Sequence, residues 1–159
     1  MTMIYVNTKK NRLTIEQRRL LAETLTDAVL IPEIGQYEPN ARMGFQVHFV
    51  ERETDNMAIG GKLLCDYEPE SEPDIMTINI RVMDSVWPKE VRKQVIENVL
   101  ARLAEAFNMP KPLPTWWVTF EVIDEGSWGS SGSVLSILDL LNSGVFTKER
   151  VDAIRKKIK

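Results

Sequence analysis

A short pattern that occurs twice constrains this chain more than any other feature. Residues 45–61 read FQVHFVERETDNMAIGG and residues 116–132 read WWVTFEVIDEGSWGSSG. Laid over one another, they pair Phe45 with Trp116, Val47 with Val118, Phe49 with Phe120, Glu53 with Asp124 and Gly61 with Gly132. Each copy is an alternating run, the mark of a half-buried strand, that ends in a glycine-bearing turn. Ahead of each lies a helix-period segment, and ahead of that another alternating strand. The unit is therefore strand, helix, strand, hairpin, and it occurs twice. The competing reading is two ordinary βα units inside one α/β domain, because identities between the copies are few.

In the first unit, residues 3–9 alternate with Ile4 and Val6 on one face, and Thr14 with Gln17 supplies a capping box for a helix running through Val29. Pro32, Gly35 and Pro39 make residues 31–43 a long connection, which leads to the strand at residues 44–51. In the second unit, residues 76–83 alternate, Pro88 sits in the first turn of a helix reaching about Phe107, and Asn108 and Pro110 stop it. The strand at residues 115–123 and the turn through Gly126 and Gly129 complete the copy. Beyond it, residues 133–141 read as a short apolar helix with Gly144 as its cap, and Thr147 reads as the N-cap of a last amphipathic helix. The organisation expected is one domain: halves at residues 1–61 and 76–132, a linker at 62–75 and a helical extension at 133–159.

Composition removes several function classes. No apolar run approaches the roughly 18 residues that a bilayer requires, and the chain reaches a strand too early to hold a secretion signal, so a cytoplasmic location is expected. Cys65 is the single cysteine and His48 the single histidine, so neither a metal nor a cofactor is expected. A net charge of −3 gives no concentrated positive field for nucleic acid. His48 shares a strand face with Gln46 and Val50 and reads as a structural or interface histidine rather than a catalytic one.

A βαβ module of this size, repeated with a hairpin after each second strand, resembles the tautomerase superfamily in its fused, double-length form. The N-terminal half is most similar to the cis-3-chloroacrylic acid dehalogenase branch, through MIYV, NRLT at residues 11–14, TDA at 26–28, and the QVxFxE and GG of the first hairpin. The resemblance implies an α/β fold of two tandem βαβ units forming one four-stranded mixed sheet with two long helices on one face, as in macrophage migration inhibitory factor, plus short C-terminal helices. It also implies a homotrimer and an isomerase that moves a proton between the keto and enol forms of a small acid.

The family's chemistry centres on an N-terminal proline amine, and the position that should be proline is Thr2. If the initiating methionine is removed, Thr2 offers a primary amine with an ordinary pKa of about 7.7–8.0. That amine could act as base or form an imine, and the neighbouring hydroxyl also gives the arrangement of an N-terminal threonine hydrolase. By the same resemblance Arg12 is a carboxylate-binding residue, the alternative being a solvated loop arginine. The family's second arginine falls at Gln46 and Trp117, and its aromatic pocket wall falls at Trp128. Arg81 is a displaced positive charge that either lines the site or faces solvent. The dehalogenase constellation falls on Val29, Ser85, Thr119 and Ser130, none of which keeps the residue type. The expected ligand is a small carboxylate, and a non-catalytic binding or structural trimer stands as the alternative to an enzyme.

Overall fold

The computed structural model describes residues 1–158. Four eight-residue strands form the main sheet: β1 (Thr2–Lys9), β2 (Phe45–Arg52), β5 (Met76–Met83) and β6 (Trp116–Ile123), in the order β2-β1-β5-β6. The outer pairs β1–β2 and β5–β6 are parallel, and the central pair is antiparallel, with Ile4 opposite Ile80 and Val6 opposite Ile78. Each parallel pair is bridged by a helix, α1 (Ile15–Ile34) in the first half and α2 (Lys89–Ala106) in the second. This is the doubled strand–helix–strand arrangement expected from the repeat.

Alternation decides which face the helices cover. In β1 every second residue from Thr2 is buried, and in β5 Met76, Ile78, Ile80 and Val82 follow the same rule. Against them pack Leu21, Leu25 and Val29 of α1 and Val95, Val99 and Leu103 of α2. Each fully buried aliphatic side chain contributes about 1.5–3 kcal/mol relative to exposure. The two central strands hold the core, whereas the outer edges of β2 and β6 pair with no strand among the described residues.

The hairpins repeat in detail. β3 (Ala58–Ile59) pairs with β4 (Lys62–Leu63), and β7 (Gly129–Ser130) with β8 (Ser133–Val134). Gly60 and Gly61 have φ of 62° and 81°, and Ser131 and Gly132 have 54° and 82°, so both turns place two residues in the left-handed region that two-residue hairpins favour. Lys62 and Leu63 thus belong to the first hairpin rather than to the connection beyond it.

Two readings at element boundaries differ from the structure. α1 does not end near Val29 but continues to Ile34 with Pro32 inside its last turn. The proline removes the N–H that would meet the Ala28 carbonyl, and Asn98 Nδ2 lies 3.5 Å from that oxygen instead. Residues 133–141 are not one helix. Their first two form β8, and α3 (Ile137–Asn142) starts only after Ser136, whose hydroxyl and backbone close a capping box with Asp139. Thr147 does cap α4 (Lys148–Lys157), accepting from the Arg150 N–H.

Candidate functional site

The start of β1 meets the end of α1, and the meeting is polar. Thr2 points toward the helices and is 1% exposed, and its Oγ1 donates to Glu33 Oε2 at 3.2 Å. Glu33 continues the Leu21, Leu25, Val29 stripe of α1 at four-residue spacing, so the helix carries its carboxyl inward. It is 2% exposed. Ser85 Oγ donates to the other carboxyl oxygen at 3.5 Å from the loop between β5 and α2. Trp87, on that loop, lies close enough to favour the Glu33 anion, although its buried Nε1 makes no hydrogen bond among the described residues.

Met1 is firmly held. Its carbonyl accepts from the Met83 N–H at 3.2 Å, and its sulfur sits where a Cβ on Gly44 would come within 3.1 Å. Burial pushes the Glu33 carboxyl above its ordinary value of 4.5 because the charged form loses its hydration. The Met1 ammonium, the Thr2 hydrogen bond, Trp87 and the Arg150 cation oppose that rise without cancelling it. A cavity of about 210 Å³ opens at this point, lined among others by Met1, Glu33, Phe45, Leu140, Val145 and Phe146. An amine and a buried carboxyl thus share an apolar pocket, to whose wall the C-terminal extension contributes Leu140, Ser143, Val145 and Phe146.

Thr2 is the one residue of the sequence-derived set that the structure brings to the Glu33 carboxyl. Arg12 lies past the far end of β1, where Nε and Nη2 grip Asp74 at 2.9 and 2.8 Å and the guanidinium stacks 3.8 Å over Phe107. Arg81 lies on the open face of the sheet, ion-paired to Glu121 at 2.6 Å and 5.3 Å over the Tyr5 ring. There it lines a broad polar depression of about 540 Å³ with Asn7, Asn79 and Thr119, beside the Tyr5–His48 stack. Trp117 is also on the open face, 59% exposed, with Nε1 donating to the Pro114 carbonyl. Trp128 packs on the apolar cluster that backs the Met1 pocket, with Ile34 and Phe146, without lining the pocket itself.

Glu33 lies beyond Val29, where the sequence pattern alone ends the helix. Its register on the apolar stripe is the signal that would have found it. Among the described residues there is no group of three His, Cys, Asp or Glu placed to hold a metal, and no helix is long and apolar enough to cross a membrane.

No family model matches this sequence, and no curated protein matches it. Solved structures do match. A native fused 4-OT superposes with a TM-score of 0.66 at 18% identity, covering 83% of this chain and 94% of its own. A member of the cis-3-chloroacrylic acid dehalogenase family covers 97% of this chain and 99% of its own, with a TM-score of 0.67 at 15% identity. The fold is the tautomerase fold. A fused 4-OT solved as a symmetric trimer has it too, with a TM-score of 0.65 at 15% identity over 86% of this chain and 96% of its own. Within this fold, the Met1 pocket lies at the start of the first strand of the first βαβ unit.

Proposed function

We propose that this tautomerase-fold protein is an isomerase that transfers protons between the keto and enol forms of a small carbonyl compound. The observation that carries the reading is the position of Glu33. Its carboxyl borders the Met1 ammonium and accepts from the Thr2 hydroxyl, so the amine lies beside it whether the mature chain starts at Met1 or at Thr2.

Burial in the apolar pocket favours the neutral Glu33 carboxyl, and the N-terminal amine beside it acts as base in its unprotonated form. The free amine takes a proton from the carbon beside the carbonyl. The Glu33 carboxyl gives its proton to the carbonyl oxygen, leaving the enol, and the ammonium then returns a proton to the carboxylate. Base and acid acting on opposite ends of one enol system are what the reaction requires. Exposed Met43 and Trp117, with the unpaired edges of β2 and β6, support assembly as a homotrimer like that of the fused 4-OT.

The test combines mass spectrometry of the intact N-terminus with the ketonisation of phenylenolpyruvate followed optically. Catalysis that is lost on carbamylating the amine supports the reading, and catalysis that survives it refutes it. A second reading, a small-molecule-binding trimer without catalysis, is favoured by the arginines themselves, since Arg12 and Arg81 are both committed to carboxylates. Inactivity of the native protein, with activity gained on Thr2→Pro once the proline is exposed, would establish it.

A further inference from the structure

The lining of the Met1 pocket is apolar except at one wall and at the rim. Ile34, Ala41, Phe45, Leu140, Val145 and Phe146 supply the apolar surface, and Glu33 is the one ionisable side chain. Asn40 and Ser143 add an amide and a hydroxyl, and both residues are exposed, so they stand at the rim. Among the described residues no arginine, lysine or histidine side chain lines the cavity. The cations nearest to it are held elsewhere. Arg42, two residues past Asn40, grips Asp27 with Nε at 2.9 Å and Nη2 at 2.5 Å. Arg150 gives its Nε to the Glu33 backbone carbonyl at 2.9 Å and does not line the cavity.

A carboxylate brought into this pocket would lose its hydration with no guanidinium to replace it, and it would lie beside a second carboxyl. The chain-start amine, which reaches the cavity with Met1, is no substitute. It has to act as base, and a carboxylate paired with it would occupy that base. A carbonyl oxygen needs only a hydrogen-bond donor, and a protonated Glu33 carboxyl is one.

We propose that the pocket takes an uncharged carbonyl compound with an apolar ring or branched chain, an aldehyde or ketone in place of the small carboxylate that the resemblance implies. The inference rests on the isomerase reading of this site for the reaction and on the lining alone for the charge of the ligand. An apolar cavity of about 150 Å³ holds benzene. The cavity of about 210 Å³ here therefore has room for a ring and a short carbonyl arm, with Phe45 and Phe146 offering aromatic surface to it.

Phenylacetone and phenylacetate test the charge, since they share a shape and differ by a methyl group in place of a negatively charged oxygen. Their dissociation constants are read from the shifts of the Leu140 and Val145 methyl signals in ¹H–¹³C NMR spectra of the full chain. Phenylacetone should bind at least about tenfold more tightly than phenylacetate. N40R, which sets a guanidinium on the exposed rim, should tighten phenylacetate about tenfold and remove the preference. If N40R does not fold, S143R places the same charge on the other rim residue. Equal or tighter binding of phenylacetate by the wild type, no binding of phenylacetone, or a preference that the rim arginine leaves unchanged overturns the proposal. Deuterium exchange at the carbon between ring and carbonyl follows the reaction separately. The expected binding preference without catalysed exchange refutes the isomerase and leaves the ligand class standing. Exchange enhanced over the solvent rate more for phenylpyruvate than for phenylacetone refutes the ligand class and leaves the isomerase standing.

Discussion

Replacing Glu33 with glutamine should make this protein more stable and less active. The carboxyl is 2% exposed and its proton affinity is raised by burial, so the folded state binds the proton more tightly than the unfolded chain does. Below the ordinary value of 4.5 the group is neutral in both states and costs nothing. As the pH rises from there through the folded midpoint, the unfolded chain releases a proton that the folded protein keeps, and stability falls. Above the folded midpoint the cost is complete and constant. Each pH unit between the two midpoints is about 1.4 kcal/mol, or about 3–6 °C in melting temperature for a chain of this length. Glutamine keeps the shape and still accepts from Thr2, so E33Q should melt higher than the wild type at pH 7, with the difference disappearing near pH 4. Ketonisation should fall by about 10²–10⁴-fold with the loss of the acid. Melting curves of both proteins at the two pH values give the answer. A difference independent of pH, or a variant less stable than the wild type at pH 7 alone, would refute the account of Glu33 as a strained buried acid.

Arg12 and Asp74 are each about one-quarter exposed, so R12A should cost about 1–2 kcal/mol after allowance for solvent screening, measured by urea unfolding, with ketonisation per folded molecule unchanged. A raised KM for a keto acid without that loss would instead give Arg12 a ligand in a neighbouring chain. G35A should be worse than its size suggests, because the left-handed backbone alone costs about 1–2 kcal/mol and the new Cβ would lie 2.7 Å from Thr147 Oγ1. Denaturant titration and hydrogen exchange of α4 should show both the lower stability and the loosened helix. V86G should stabilise the loop before α2 by about 0.5–1 kcal/mol, since a β-branched residue at φ 51° is strained and glycine returns part of the gain as backbone entropy.

The scaffold was legible because its signals are local and repeated. Alternation in residues 76–83 gave β5 to the residue, and the paired turns at Gly61 and Gly132 marked both hairpins. Where local signals compete, the boundaries moved. Pro32 suggested an end to α1, yet the turn that contains it buries Leu30, Glu33 and Ile34, and that packing outweighs one lost hydrogen bond. Ser136 lies inside an apolar run whose periodicity also suits a helix, and its capping box with Asp139 places the start four residues later than the pattern alone implies.

The site was less legible because it is built from three distant pieces of chain that no motif joins. Thr2 opens the first strand, Glu33 sits in the last turn of the first helix and Phe146 comes from the extension outside the repeat, and the paired segments 45–61 and 116–132 include none of them. The resemblance pointed to arginines, as befits a pocket for carboxylates, but Arg12 and Arg81 each already have a carboxylate of their own. A side chain's residue type therefore says less here than its partner does. Glu33 is the reverse case: an ordinary glutamate in sequence whose proton affinity rises once the helix turns it inward, away from water and against an amine and two hydroxyls. The repeat builds a sheet whose first strand starts beside the end of the first helix, and the C-terminal extension, lying outside the repeat, walls that junction into a pocket with Leu140, Val145 and Phe146.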